Sequence, residues 1–152
     1  MMNDDLQTKL GMYRERKQLA VQFTALPALE LIRILPNDPP LVSDSVMERT
    51  VRVGAIPFAA LPSNSPNEDR DSWLQRIIRL TPITDHFFLG LQYRYIGWLE
   101  VKSTDNTWIV EVARSAPSLW FRVVDSARTT LVSFMELEYE YHMMVVPLPK
   151  HK

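Results

Sequence analysis

The chain has 152 residues, 17 of them basic and 18 acidic, for a net charge of −1. That length fits one domain spanning residues 1–152, with enough core to need no disulfide or metal staple. The absence of cysteine excludes disulfides, zinc–thiolate sites, Fe–S clusters and a thiol nucleophile.

The N-terminus reads as a helix. Asn3 is a cap candidate, and Asp4 and Asp5 fall in the first turn, where the dipole favours negative charge. Leu6, Leu10 and Tyr13 recur at helical spacing, and Arg16 and Lys17 close the last turn. The apolar stripe is narrow, and Gly11 weakens the interior. Such a helix belongs on the surface of something larger.

Residues 18–36 admit two readings, a strand followed by a short helix after Pro27, or two strands. Residues 46–53, "VMERTVRV", alternate and stop at Gly54, which predicts a strand. Pro36, Pro39, Pro40, Pro57 and Pro62 punctuate the surroundings. Residues 62–72, "PSNSPNEDRDS", are polar and aperiodic and read as a loop. Trp73, Ile77 and Leu80 then fit a short helix capped by Asp71 or Ser72.

From residue 87 the alternation is long. In "FFLGLQYRYIGWLEVK" (87–102) the odd positions carry no charge, while Gln92, Arg94, Glu100 and Lys102 fall on even ones. This predicts one long strand with a dry face. A turn at residues 103–106 leads into "TWIVEVAR" (107–114), read as its hairpin partner. The register rule pairs Val101 with Trp108 or Val110. Residues 119–125 and 129–146 complete four C-terminal strands. The expected architecture is α+β: a strongly curved antiparallel β-meander, with one or more N-terminal strands, an N-terminal helix and a short middle helix. Gly90 and Gly97 are natural bends.

The last predicted strand holds "MELEYEYHMMVV" (135–146), in which Glu136, Glu138, Glu140 and His142 alternate with apolar residues. On a strand they share one face. The plainer reading is a wet face with cross-strand ion pairs to Arg94, Lys102, Arg114 and Arg122. A second reading is an interaction face. There the acidic Glu136, Glu138 and Glu140 adjoin Phe134, and Ile96, Trp98 and Ile109 share the corresponding side of the preceding hairpin. A third is a ligand pocket inside the curved sheet, lined by Tyr93, Tyr95, Tyr139 and Tyr141, with Arg94 or His142 at its rim.

Other signals are sparse. Asp85-His86 reads as a turn more readily than as an acid–base pair. Three histidines, His86, His142 and His151, offer too few convergent ligands, so no metal is expected. There is no glycine-rich phosphate loop, Gly-x-Ser-x-Gly or His-Glu-x-x-His, and no cofactor is expected. The basic residues number 9 in 1–76 and 8 in 77–152, against 10 and 8 acidic ones. Nucleic acid is therefore not an expected partner, although Arg14, Arg16 and Lys17 cluster around Glu15. No apolar run approaches the ~20 residues of a membrane span, and the acidic start has no leader pattern. Arginine outnumbers lysine twelve to five, as interfaces favour. Together these readings predict a cytoplasmic, non-enzymatic regulator, adaptor or inhibitor that contacts a protein partner or itself as a homodimer. The alternative is a small-ligand binder or enzyme with a pocket inside the curved sheet.

Overall fold

The computed structural model describes residues 4–36, 40–51, 56–116 and 119–149. The chain begins with α1 (Asp4–Phe23), whose first turn holds Asp4 and Asp5. Asn3 lies outside the described residues. The helix continues past Lys17 because Leu19 and Phe23 lie on its inner face and pack on the core. The first reading of residues 18–36, a strand and then a helix, is thereby inverted: β1 (Leu29–Pro36) follows α1.

Next come α2 (Asp44–Val51), β2 (Ala59–Pro62) and α3 (Asn67–Ile78). Residues 46–51 are helix rather than the expected strand, and 52–53 lie outside the described residues. Val46 and Thr50, four apart, are the buried pair of α2, a helical rather than a two-residue period. The helix starts where Ser43 O accepts the Met47 N–H at 3.0 Å. The middle helix is present but begins inside the expected loop, just after Pro66. Asp71 is therefore an interior helix residue and not a cap.

The C-terminal half contains β3 (His86–Gly90), β4 (Ile96–Ser103), α4 (Thr107–Ser115), β5 (Phe121–Asp125), β6 (Thr130–Glu136) and β7 (Glu140–Pro147). Both long predicted strands are hairpins. The first breaks after Gly90, and β3 pairs back on β4, with Phe87 opposite Val101 and Leu89 opposite Leu99. Of the two expected bends only the one at Gly90 ends a strand; Gly97 lies within β4. The second breaks at residues 137–139, so β6 pairs with β7 and Glu136 faces Tyr141.

The segment 107–114 is the largest correction. It forms α4, not a strand, so Val101 pairs with Phe87 and Leu31 instead. Trp108, Val110 and Val112 satisfy alternation, but Trp108, Ile109, Val112 and Ala113 are what the fold buries. That set is a helical stripe. Asp105 starts the helix by accepting the Thr107 N–H at 2.8 Å.

Among the described residues the strands form one open antiparallel sheet in the order β1-β4-β3-β5-β6-β7-β2. The α+β class and the N-terminal and middle helices are as expected, with five C-terminal strands in place of four and two further helices. Both faces of the sheet are covered. Leu89, Leu99, Phe121, Val123, Val132 and Phe134 point to the side carrying α1, α3 and α4. Phe88, Trp98, Val124, Leu131 and Val146 point to the opposite side, where Val42 and Val46 cover them. Double burial accounts for consecutive apolar pairs such as Phe87-Phe88 and Val123-Val124. Trp108 is the central plug of the larger core, with its ring centroid 4.4 Å from Phe87 and 6.5 Å from Phe121. Each such fully buried large side chain contributes roughly 1.5–3 kcal/mol through area removed from water.

Candidate functional site

The surroundings of α1 concentrate the unusual chemistry. The helix is held by polar contacts along its inner face. Glu15 Oε2 accepts the Arg94 N–H at 2.7 Å, and Oε1 accepts those of Tyr95 and Ile96 at 2.7 and 2.8 Å. Three successive amides thus close around one carboxylate, an arrangement of the anion-nest kind. One helical turn earlier, Gly11 lets the Tyr95 ring lie directly on the helix backbone. One turn beyond Leu19, the Tyr93 hydroxyl donates to Gln22 Oε1 at 2.6 Å. Gln22 Nε2 donates to Ser115 Oγ at 3.2 Å, and Ser115 donates to the Val112 carbonyl at 2.9 Å. Burial, and then the charge of Glu15, raise the Tyr93 phenol above its ordinary pKa, so it stays a donor.

This relay floors a groove of about 460 Å³ between the C-terminal half of α1, residues 91–93, and Ser115, Ala116 and Trp120. Gln18, Val21, Leu91, Gln92 and Trp120 are among its walls, and none of its ten lining residues is charged. The outer face of α1 is different. Leu10 is 37% exposed, Tyr13 58% and Val21 72%. Lys17 lies over the Tyr13 ring at 4.5 Å. Leu19 is the one fully buried residue of the helix.

The residues expected to line an inner pocket are dispersed. Of the four tyrosines only Tyr93 borders the groove. Tyr95 packs on Gly11, and the exposed Arg94 lies 5.1 Å over its ring. Tyr139 is 75% exposed at the β6–β7 turn, while Tyr141 is buried. His142 points to the other face of the sheet and meets Glu140 at 3.2 Å. The interior that was to hold the pocket is filled by Trp108, Phe121 and Phe134.

The expected interaction face is not assembled as one surface either. Ile96, Trp98, Ile109 and Phe134 are all core residues. Trp98 lies on the α2 side of the sheet, Phe134 on the other, and Ile109 on α4. Around the turn, Glu136 shares the side of Tyr141, while Glu140 shares that of His142. The row of glutamates is therefore split by residues 137–139. Glu138 is exposed at the tip, where its carbonyl accepts the Ser63 hydroxyl at 3.0 Å.

The acidic groups elsewhere have structural partners. Glu100 accepts from Arg33 Nε at 3.0 Å and meets His86 Nε2 at 2.7 Å, tying β1, β4 and β3 together. Asp71 of α3 pairs with Arg114 of α4. Asp125 accepts the Thr129 and Thr130 N–H groups at 2.7 and 2.9 Å. Asp85 is exposed beside His86. Among the described residues no group of three or more acidic or histidine side chains could hold a metal ion. Also among them, no helix is long and apolar enough to cross a membrane.

Sequence reasoning missed Glu15, Gly11, Gln22 and Trp120. Glu15 left a trace as the acidic interruption of a basic cluster, and Gly11 as a weak point of the helix, without the contact that either makes. No family model matches the chain, and neither a curated protein nor a solved structure matches it.

Proposed function

We propose that the protein is a non-enzymatic regulator, adaptor or inhibitor that works by protein–protein contact, as a homodimer built on the outer face of α1. The supporting observation is that face itself. A helix seated on a core normally buries a broad stripe, whereas α1 turns Leu10 and Tyr13 outward, 37% and 58% exposed. Its charges are uneven, with Asp4 and Asp5 followed by Lys9 in the first half, and Arg14, Arg16 and Lys17 around Glu15 past the middle. Antiparallel packing of two copies sets each acidic end against the partner's basic turns and closes Leu10 and Tyr13 at the centre. The engagement of Glu15, Glu100, Asp71 and Asp125 in structural contacts supports a role in binding over one in acid–base chemistry.

Native mass spectrometry at micromolar concentration tests this reading. A dimer is expected, and Tyr13→Asp should convert it to monomer. Asp5→Arg should also separate the copies, and mixing it with Arg16→Asp should recover a heterodimer. Monomer alone from the unaltered chain removes the homodimer, and indifference to all three changes removes α1 as the contact.

A further inference from the structure

The groove beside Gln22 adjoins the outer face of α1 at Val21, and its lining chemistry is specific. Its polar groups are amides, hydroxyls and an indole, with no formal charge among its ten lining residues. The inner row is already oriented. The Tyr93 proton is committed to Gln22 Oε1, one Gln22 N–H to Ser115, and the Ser115 proton to the Val112 carbonyl. Gln22 therefore presents its second N–H and a remaining lone pair of Oε1 in a fixed orientation. Trp120 is half-buried, also lines the groove and brings an indole N–H, which can only donate. Val21, Ala25, Leu91 and Ala116 supply aliphatic surface between these polar points.

A charged ligand would gain nothing here, because no counter-charge lines the groove among the described residues and burial would strip its water. A small molecule wants an enclosed cavity that covers most of its surface. This groove is open along one side, where Val21 is 72% exposed. A peptide backbone fits better. It offers alternating carbonyls and N–H groups to fixed amide and indole partners, and small apolar side chains to the aliphatic walls.

We infer that the groove between α1 and the Tyr93–Trp120 side is a binding site for a short, extended, uncharged peptide segment of a partner protein. The segment's carbonyl accepts from Trp120 or Gln22, and its N–H donates to Gln22 Oε1. Its apolar side chains lie against Val21 and Leu91. Recognition is by backbone and aliphatic contact, so a charge inserted in the middle of the segment is excluded.

The test is a titration of the full-length ¹⁵N-labelled chain with the capped peptide acetyl-Leu-Ser-Leu-amide, read by two-dimensional NMR. With four tryptophans in the chain, the Trp120 indole N–H is assigned as the indole resonance lost in Trp120→Phe. A saturable shift of that resonance and of the Gln22 side-chain amide is expected. Acetyl-Leu-Glu-Leu-amide should bind about tenfold more weakly or not at all. Val21→Glu, a change at an exposed position that leaves the fold intact, should abolish the shift, as should Gln22→Leu if its spectrum stays native. No shift at millimolar peptide would overturn the proposal. So would a shift that Val21→Glu leaves unaltered, or binding of methyl glucoside or adenosine at the same resonances in place of the peptide. The titration is repeated in the Tyr13→Asp background, so that loss of the proposed dimer and loss of the groove are read separately.

Discussion

The Glu15 carboxylate and the backbone of Tyr95 are joined at 2.7 Å, with the flanking amides of Arg94 and Ile96 on the same two oxygens. This one contact connects the N-terminal helix to the turn that breaks the longest alternating run in the chain. Three N–H groups that would otherwise need water or a partner strand are satisfied by one anion from a distant element. Hydrogen bonds to a charged group contribute about 1.5–3 kcal/mol each, with a non-additive sum. Glu15→Ala should therefore lower unfolding stability by roughly 2–4 kcal/mol. Glu15→Gln, which keeps one acceptor, should cost less. Urea denaturation checks both, and equal stability of the alanine variant and the parent would show that the nest does not anchor the helix.

Gly11 sets two effects of opposite sign against each other. Alanine in a helix interior is favoured over glycine by about 1 kcal/mol. A Cβ at position 11, however, would overlap the Tyr95 ring. The ring is held by the same turn that Glu15 grips, so it has little room to withdraw. Gly11→Ala should be destabilising in the parent and stabilising in a Tyr95→Ala background. A double-mutant cycle in thermal unfolding reads that change of sign.

Ser133 is fully buried, and its hydroxyl has no partner among the described residues. Its cross-strand neighbour Arg122 also has an unpartnered Nε, and burial lowers the pKa of that guanidinium. Removing an unsatisfied hydroxyl while keeping the Cβ relieves a desolvation penalty, so Ser133→Ala should stabilise the protein by about 1 kcal/mol. The midpoint in urea should rise with an unchanged slope. A fall would mean that an ordered water completes the site.

Glu100 makes stability depend on pH. The hydrogen bond from His86, reinforced by Arg33, holds its carboxyl below the ordinary value of 4.5 against the opposing effect of burial. A carboxylate with a depressed folded pKa stabilises the native state above its unfolded pKa, and that contribution is lost as pH falls through the folded value. Stability should thus decline below about pH 4.5, and Glu100→Gln should flatten part of the decline while costing stability at pH 7. Denaturation midpoints between pH 7 and pH 3 measure both. An unchanged pH slope in the glutamine variant would place the acid sensitivity elsewhere.

Much of the architecture was open to a sequence reader. Asp4, Asp5 and the Leu6–Leu10–Tyr13 spacing marked α1, and Trp73 and Ile77 marked α3. The alternation around Leu99 and Val101 marked a real strand. The errors share a cause. Trp108, Val110 and Val112 alternate, yet Ile109 and Ala113 complete a helical stripe, and a nine-residue segment rich in β-branched residues satisfies both periods. Val46 and Thr50 in α2 present the same ambiguity. The first hairpin break was marked by Gly90 alone, since residues 91–95 contain no glycine or proline, and the second, at 137–139, left no such mark.

The candidate site was less legible still. Gln22 lies 93 positions from Ser115 and further still from Trp120, and a glutamine on a helix carries no periodic signal. Their meeting depends on where α1 docks, which Glu15 and Gly11 decide by contacts with residues about eighty positions away.

Composition and periodicity by themselves determined the α+β class, the antiparallel pairing and the lack of any thiol chemistry, since these follow from residue types and from patterns within a single element. Where a strand stops and turns back, which period a short apolar segment obeys and which side chains converge on one groove were decided only in three dimensions. The reason is energetic: local preferences of a few tenths of a kcal/mol per residue are outweighed by burial of a side chain such as Trp108, worth roughly 1.5–3 kcal/mol.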